Sequence, residues 1–184
     1  MQRCPEAEVE GIDIDEAAVE QAKENGVKAY CAKLQEWKMS EYHSDAIDKT
    51  KYDLIVSNPP YFQNSLKNPD EGRKTARHTD TLSYAEVVKH SARLLKEDGQ
   101  LALILPAEAE AEVRQLAASE GLYLARVTRV YSKESKPARR VLLCFAKLKI
   151  EDFRFQILED SLILEDEKGG RSAAYSELCK EFYL

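Results

Sequence analysis

The sequence predicts an α/β fold with a mostly parallel sheet. Short apolar runs of strand length alternate along the chain with segments whose apolar residues recur at helical spacing. Three runs carry this prediction most clearly, and they are Val9–Ile14, Tyr52–Ser57 and Gln100–Leu105. Strands that alternate with helices favour parallel pairing, because each helix returns the chain to the same end of the sheet. At 184 residues, the chain has room for one domain with a core.

The first half predicts strand, helix, strand and strand in that order. Asp15 stands at the N-cap position before a helix over Glu16 to Asn25, and Gly26 ends that helix. Val27 to Cys31 resumes an extended pattern. Tyr52–Ser57 has the composition of a buried strand, which the Asn58-Pro59-Pro60 sequence stops abruptly.

The second half predicts two helices, three single strands, a hairpin and a terminal helix. Ser83 and Glu86 form a capping-box pattern for a helix through Lys96, on which Ala85, Val88, Ala92 and Leu95 share one face. Asp98-Gly99 is the predicted turn into the strand Gln100–Leu105. The remaining elements are a helix over Ala107 to Glu120, strands at Leu122–Tyr131 and Arg140–Lys147, a hairpin over Phe153 to Leu164, and a helix over Ser172 to Phe182.

Composition narrows the functional classes. The longest apolar run, Leu101 to Leu105, is far shorter than the ~20 residues that cross a bilayer, so we expect no membrane span and a cytoplasmic location. The four cysteines show no Cys-x-x-Cys pair, so we expect reduced thiols, mostly buried, and no metal site. The oligomeric state is not indicated.

The net charge of −6 conceals a basic segment. Between Leu122 and Lys149 there are eight Lys and Arg residues against the single Glu134, a density that can neutralise phosphates. A strand edge protected by solvated lysines is an equally acceptable interpretation. The pattern alone does not choose between them.

Residues that follow parallel strands are candidates for function, because ligands bind beyond the carboxyl ends of such strands. Asp13 follows the first strand and can accept hydrogen bonds from a ribose diol, although Asp13 and Asp15 also compete as helix N-caps. The two prolines after Asn58 make a rigid loop whose acceptors can hold an amino group. If the Asn58 side-chain oxygen and the Pro59 carbonyl accept the two N–H groups of an adenine amine, the nitrogen lone pair is directed toward an electrophilic methyl group, while Tyr61 stacks on the base.

These residues resemble two motifs of S-adenosylmethionine-dependent amino-group methyltransferases. Val56–Phe62 resembles their motif IV, and Gly11–Asp15 resembles motif II. The whole chain is similar to the bacterial valine-tRNA adenine N6-methyltransferases, on the segments Cys31-Ala32 with Gln35 and Trp37, Ala76-Arg77 before Thr81-Leu82, Pro137 with Arg140–Leu143, and Tyr175–Leu178 with Phe182–Leu184.

The resemblance implies an enzyme with a Rossmann-like fold that transfers a methyl group from S-adenosylmethionine to the adenine beside the anticodon, position 37 of the tRNA. It further implies three groups of site residues. These are the catalytic loop Asn58, Pro59, Pro60 and Tyr61, with Phe62 supporting the base; the cofactor contacts Asp13, Ile14, Lys33, Leu34 and Asn58; and the RNA contacts Lys74, Arg77, Arg129, Arg139 and Arg140.

The sequence departs from the family pattern at two places. Lys33 occupies the position at which the family usually has an acidic residue that accepts from the cofactor's adenine amine, so either a backbone group replaces this contact or cofactor affinity is weaker. The family's first strand and Gly-rich loop have no counterpart before Val9. We therefore expect residues 1–184 to be one N-terminally truncated methyltransferase domain that lacks a central strand and has unpaired strand edges; truncation could make it inactive. Its C-terminal part is residues 122–184, with the basic strand pair in 122–149.

Two alternative functions remain open. A methyltransferase for protein glutamine side chains needs the same amide-accepting loop at Asn58. A non-catalytic RNA-binding or partner-binding module derived from the enzyme would not need Asn58 at all. Salt-dependent tRNA binding separates the first alternative from the tRNA enzyme, and an Asn58→Ala substitution separates the second.

Overall fold

A computed structural model of the chain describes residues 4–38, 51–59, 82–147 and 156–180. These residues belong to two compact units, 1–50 and 51–184, each with its own sheet. Among the described helices, none is long and apolar enough to cross a membrane. The Rossmann-like prediction is confirmed in its α/β character, with three parallel and two antiparallel strand pairings.

The first unit is a small βαβ element. Strands β1 (Glu10–Asp13) and β2 (Lys28–Cys31) pair in parallel and are connected by helix α1 (Glu16–Glu24). Asp15 caps α1, since its side chain accepts from the Ala17 backbone N–H at 2.9 Å. Gly26 has a φ of +77°, which a glycine adopts without steric cost at the end of a helix. The predicted order of these elements is confirmed.

The second unit carries a five-stranded sheet in the order β3-β4-β6-β5-β7. Its strands are β3 (Tyr52–Ser57), β4 (Leu95–Pro106), β5 (Leu122–Tyr131), β6 (Arg140–Lys147) and β7 (Leu158–Ile163). Its α-helices are α2 (Tyr84–Leu94), α3 (Glu110–Ser119) and α4 (Ala173–Cys179), and a 3-10 turn (Ala107–Ala109) precedes α3. Strand β6 is antiparallel to both of its neighbours, whereas β3 is parallel to β4 and β5 to β7.

The core of the second unit lies between one face of this sheet and helices α2 and α3. Alternate residues of the central strands are buried, among them Leu101, Leu103 and Leu105 on β4 and Val141, Leu143 and Phe145 on β6. Val87 and Val88 of α2 and Val113 and Ala117 of α3 belong to the same cluster. Core packing therefore holds β4, β5 and β6 in place, and β3 is positioned by its pairing with β4.

The capping box predicted for α2 is confirmed. The Ser83 hydroxyl accepts from the Glu86 backbone N–H at 3.2 Å, and the Glu86 carboxylate accepts from the Ser83 backbone N–H at 2.9 Å. We expect Ser83→Ala to lower the free energy of unfolding by about 1 kcal/mol, because it leaves a backbone donor of the first turn without its partner. Urea denaturation compares this variant with Ser119→Ala, whose serine is the last residue of α3 and caps no helix N-terminus; an equal effect of the two would contradict the prediction.

The boundary between α2 and β4 differs from the prediction. The helix ends at Leu94 rather than Lys96, its buried face includes Tyr84 and Val87 rather than Ala85, and β4 begins at Leu95. Asp98-Gly99 lies inside β4 and is not a turn. Strands β3 and β4 approach each other closely at Gly99, where a Cβ would stand 2.8 Å from the Tyr52 carbonyl oxygen. We attribute the extension of β4 through this polar segment to the close approach.

Three other predictions are wrong. The cysteines are not mostly buried, since Cys4 and Cys31 are exposed and Cys144 and Cys179 are half-buried. The predicted burial of Tyr52–Ser57 fails because β3 is the outer strand of the described sheet, and Leu54 and Val56, on the face away from α2 and α3, are 52% and 65% exposed. Of the hairpin predicted over Phe153 to Leu164, the described part from residue 156 onward forms one strand, β7, which pairs in parallel with β5, and residues 153–155 lie outside the described residues. Helix α4 has Ser172 as its N-cap and ends at Cys179, three residues before the predicted end at Phe182, which itself lies outside the described residues.

Candidate active site

The first group of candidate residues lies at the carboxyl ends of β1 and β2. Asp13 ends β1 directly opposite Cys31, which ends β2, and the Ala32 backbone N–H donates to the Asp13 carbonyl at 2.9 Å. Ile14 follows Asp13 and is 59% exposed, while Lys33 and Leu34 follow β2. Parallel pairing therefore brings Asp13, Ile14, Lys33 and Leu34 to one end of one small sheet.

The competition between Asp13 and Asp15 for the helix is resolved. Asp15 is the N-cap of α1, and the Asp13 carboxylate accepts from the Asp15 backbone N–H at 2.9 Å through Oδ1. This contact orients the Asp13 carboxylate while leaving the residue exposed at the end of β1. An oriented, exposed carboxylate beyond a parallel strand is a suitable acceptor for the hydroxyls of a ribose.

Lys33 and Leu34 begin a turn that is closed by the backbone. The Glu36 N–H donates to the Lys33 carbonyl at 3.1 Å, and the Trp37 N–H donates to the Leu34 carbonyl at 3.3 Å. Trp37 is buried, and its ring centroid lies 5.2 Å from that of Tyr30. The aromatic pair fixes the turn against β2, so the residues that follow β2 are held by packing.

Asn58 and Pro59 directly follow β3 in the second unit. Ser57, the last residue of β3, is opposite Leu103 of β4, so Asn58 lies at the carboxyl end of a parallel pair. Asn58 is exposed and Pro59 is buried, an arrangement that anchors the loop by its proline beside an accessible amide side chain. Pro60, Tyr61, Phe62, Lys74 and Arg77 lie outside the described residues.

Ion pairs with β7 distinguish the arginines on β5 from the other basic residues of the segment. Arg126 donates to Asp160 through Nε at 3.0 Å and also through Nη2, and Arg129 donates to Glu159 at 3.0 Å. Arg129 also reaches Glu110, at the start of α3, at 3.3 Å. These contacts occupy the arginines of β5 with carboxylates. The predicted RNA contact at Arg129 stays a prediction.

Sequence reasoning missed these acidic partners. Residues 151–184 contain nine acidic and four basic side chains, and this surplus was the available signal. It could not be assigned to β5 because a hairpin was expected, and a hairpin would have paired the acidic strand with its own neighbour. The parallel register sets Asp160 opposite Thr128 and Glu159 opposite Val127.

The contacts of Asp160 lower the pKa of its carboxyl group. A hydrogen bond with Thr128, followed by one with Arg126, lowers the pKa of Asp160 from its usual value near 3.8. A carboxyl group whose pKa falls on folding stabilises the fold above its unfolded pKa, and this stabilisation is lost as the pH falls through the folded pKa. We expect Thr128→Val to raise the pKa of Asp160 toward 3.8 in an NMR titration of its carboxyl carbon. An unchanged pKa would show that Thr128 is not the main cause.

Comparison with known proteins assigns the family. Residues 12–116 match the model of the Eco57I restriction-modification methylases. The tRNA1(Val) (adenine(37)-N6)-methyltransferase of Bacteroides fragilis is 38% identical over 185 residues, covering 100% of this chain and 76% of the relative. The protein of the same name from Edwardsiella ictaluri is 35% identical over 179 residues, covering 97% of this chain and 70% of the relative.

Solved structures show the same fold. A crystal structure described as a predicted O-methyltransferase from Agrobacterium tumefaciens aligns with a TM-score of 0.65 at 16% identity, covering 95% of this chain and 77% of that chain. A putative class I S-adenosylmethionine-dependent methyltransferase from Listeria monocytogenes aligns with a TM-score of 0.55 at 14% identity, covering 88% and 52%. The fold is that of the methyltransferases, and the extent of identity with its named relatives shows that the chain belongs to the tRNA1(Val) (adenine(37)-N6)-methyltransferase family.

Proposed function

We propose that this protein transfers the methyl group of S-adenosylmethionine to the N6 amine of adenine 37 in a valine tRNA. The observation that carries the proposal is the family membership, with identity extending over the full chain, together with Asn58-Pro59 at the carboxyl end of β3. The cytoplasm is the compartment in which we place it, because tRNA is its proposed substrate.

The residues at the end of β1 and β2 fit the cofactor. The Asp13 carboxylate would accept from the ribose hydroxyls, while Ile14 and Leu34 supply apolar surface and Lys33 supplies backbone groups. Bound S-adenosylmethionine supplies an electrophilic methyl group. Lys33 brings a positive charge where the family usually has an acidic side chain, so we expect the adenine amine to be recognised through backbone acceptors.

The loop after β3 would hold the target amine. The Asn58 side-chain oxygen and the Pro59 carbonyl accept its two N–H groups, which directs the nitrogen lone pair away from the ring and toward the methyl group. Pro60 keeps the loop rigid, Tyr61 stacks on the base, and Phe62 supports the pocket. No strong general base is required, because the methylated amine can release its proton after the transfer.

The RNA backbone would be held by cations of the second unit and of the segment between β3 and α2. Lys74, Arg77, Arg139 and Arg140 are the proposed contacts, whereas Arg129, the fifth residue predicted from the sequence, is held by Glu110 and Glu159 and is not proposed as one. Phosphate contacts of this kind position the RNA without reading its sequence. Selection of adenine 37 therefore depends on the pocket and on the shape of the anticodon loop.

The test is methyl transfer by the purified protein. The protein is incubated with S-adenosylmethionine carrying a labelled methyl group and with tRNA1(Val) transcribed with adenine or guanine at position 37. We expect labelled N6-methyladenosine only in the adenine transcript. Label found in protein glutamine instead would replace the proposal with the alternative enzyme, and tRNA binding without any transfer would favour the non-catalytic module.

A further inference from the structure

The basic side chains of β5, of β6 and of the connection between them differ in whether they have a carboxylate partner. Arg126 and Arg129 on β5 have carboxylate partners on β7, and Lys147 at the far end of β6 lies 3.4 Å from Glu97. The connection from Ser132 to Arg139, here named the β5–β6 loop, contains three basic side chains and the single Glu134. Lys136 and Arg139 in this loop are exposed and have no ion pair with any residue that the structure describes.

The β5–β6 loop lies at the same end of the sheet as Asn58. Arg140 of β6 is opposite both Pro106, the last residue of β4, and Val130, near the end of β5. Because β3 and β4 are parallel, Asn58 follows its strand toward the same edge. Only β4 separates β3 from β6, so these two strands are about 10 Å apart.

The backbone holds this loop in a defined shape. The Arg139 N–H donates to the Val130 carbonyl at 3.0 Å, and the Arg139 carbonyl accepts from the Ala107 N–H at 3.1 Å. A further turn is closed by the Lys136 N–H and the Lys133 carbonyl at 3.1 Å. On the β7 side, the Glu165 N–H donates to the Ser132 carbonyl at 3.0 Å, and the Glu165 carboxylate lies 3.6 Å from Lys133.

We propose that Lys136 and Arg139 of the β5–β6 loop bind the phosphates that flank the target adenine. The acidic strand β7 masks Arg126 and Arg129 of β5, so that the RNA backbone is confined to the Asn58 end of the sheet. The proposal rests on the proposed function for the identity of the RNA. Its structural basis is that Lys136 and Arg139, beyond the strand ends, have no ion pair among the described residues, while the arginines along β5 are neutralised by carboxylates. Strong nucleic-acid binding along the side of the sheet is thereby avoided.

The first experiment reverses one loop charge at a time. Binding of tRNA1(Val) by Lys136→Glu and by Arg139→Glu is measured at several salt concentrations and compared with Lys89→Glu, an exposed lysine on α2, which leads into the opposite end of β4. We expect each loop variant to bind roughly tenfold more weakly and to lose about 0.7 to 0.9 from the slope of log affinity against log salt. Equal behaviour of all three variants would overturn the assignment of the loop.

The second experiment removes the mask. Glu159→Gln/Asp160→Asn is expected to bind tRNA and unrelated RNA more tightly, with a steeper salt dependence, because Arg126 and Arg129 lose their carboxylate partners. Thermal unfolding verifies that the variant is folded. Unchanged affinity in the folded variant would refute the masking role of β7, whereas the loop variants test the loop independently of any effect on β7.

S-adenosylmethionine binding and methyl transfer separate this inference from the proposed function. If the wild type methylates tRNA and the loop variants bind it like Lys89→Glu, only the inference fails. If the loop variants lose RNA affinity while the wild type transfers no methyl group, only the proposed function fails. Cofactor affinity should be the same in all variants, because none of them changes the residues at the ends of β1 and β2.

Discussion

Asn58→Ala is expected to slow methyl transfer strongly while leaving tRNA affinity within about twofold of the wild type. The substitution removes the side-chain oxygen that would accept from the target amine, and this hydrogen bond strengthens as the amine becomes positively charged during transfer. Loss of a single group of this kind typically slows the chemical step by ~10²- to 10³-fold. Single-turnover transfer with saturating tRNA measures this step without interference from binding.

The design separates chemistry from folding and from RNA binding. Asn58 is exposed at the end of β3, so its truncation removes no core packing, and an unchanged melting temperature is expected. Asn58→Asp is the matched variant, since it keeps the size and one acceptor oxygen but adds a negative charge. Wild-type transfer by Asn58→Ala would exclude the proposed role of Asn58. A parallel loss of tRNA affinity would assign the residue to RNA binding instead.

The strands that sequence predicts best are those with a strong stop at both ends. The observed bounds of β3, β5 and β6 equal the predicted ones. Asn58-Pro59 prevents β3 from continuing, and Gly121, with a φ of +74°, turns the chain before β5. In these segments local chemistry alone decides where a strand ends.

The predictions fail where contacts between distant segments decide. Lys96, Glu97 and Asp98 continue a helical composition, yet they belong to β4, because the backbone at Gly99 packs against Tyr52, which is far away in sequence. The parallel pairing of β7 likewise depends on Arg126 meeting Asp160. Neither contact has a periodic signal, so single-sequence reasoning assigns the local preference instead.

The same contrast between local chemistry and contacts of distant segments applies to the candidate site. That Asp13 and Lys33 lie at one end of a parallel pair could be predicted, since residues after adjacent parallel strands share an edge. The sequence also places Asp15 at the N-cap position of α1, which the structure confirms, whereas the hydrogen bond from the Asp15 N–H that orients the Asp13 carboxylate has no sequence signal. The number of basic residues in the segment could be counted from the sequence. Which of them have a carboxylate partner depends on the parallel pairing of β7 with β5, which the sequence did not predict.

Phe145→Ala is expected to destabilise the second unit by about 3 to 5 kcal/mol. Phe145 is fully buried on β6, opposite Leu101 of β4 and Leu124 of β5, and thus joins three strands of the sheet to one core. Truncation removes its apolar contacts and leaves a cavity that neighbours on three strands can fill only in part. A loss of this size is a large share of the ~5 to 15 kcal/mol that typically stabilises a domain.

Two matched substitutions distinguish a cavity at this position from a general weakness of β6. Phe145→Leu keeps most of the buried volume and should cost less than about 1.5 kcal/mol, while Leu142→Ala, at a half-buried position on the opposite face of the same strand, should cost less than Phe145→Ala. Urea denaturation followed by circular dichroism measures all three variants. Because β6 begins at Arg140 and forms one side of the β5–β6 loop, the loss of packing should also weaken tRNA binding under conditions that partly unfold Phe145→Ala. Equal costs for Phe145→Ala and Leu142→Ala would show that this face of the sheet is not the one that holds the unit together.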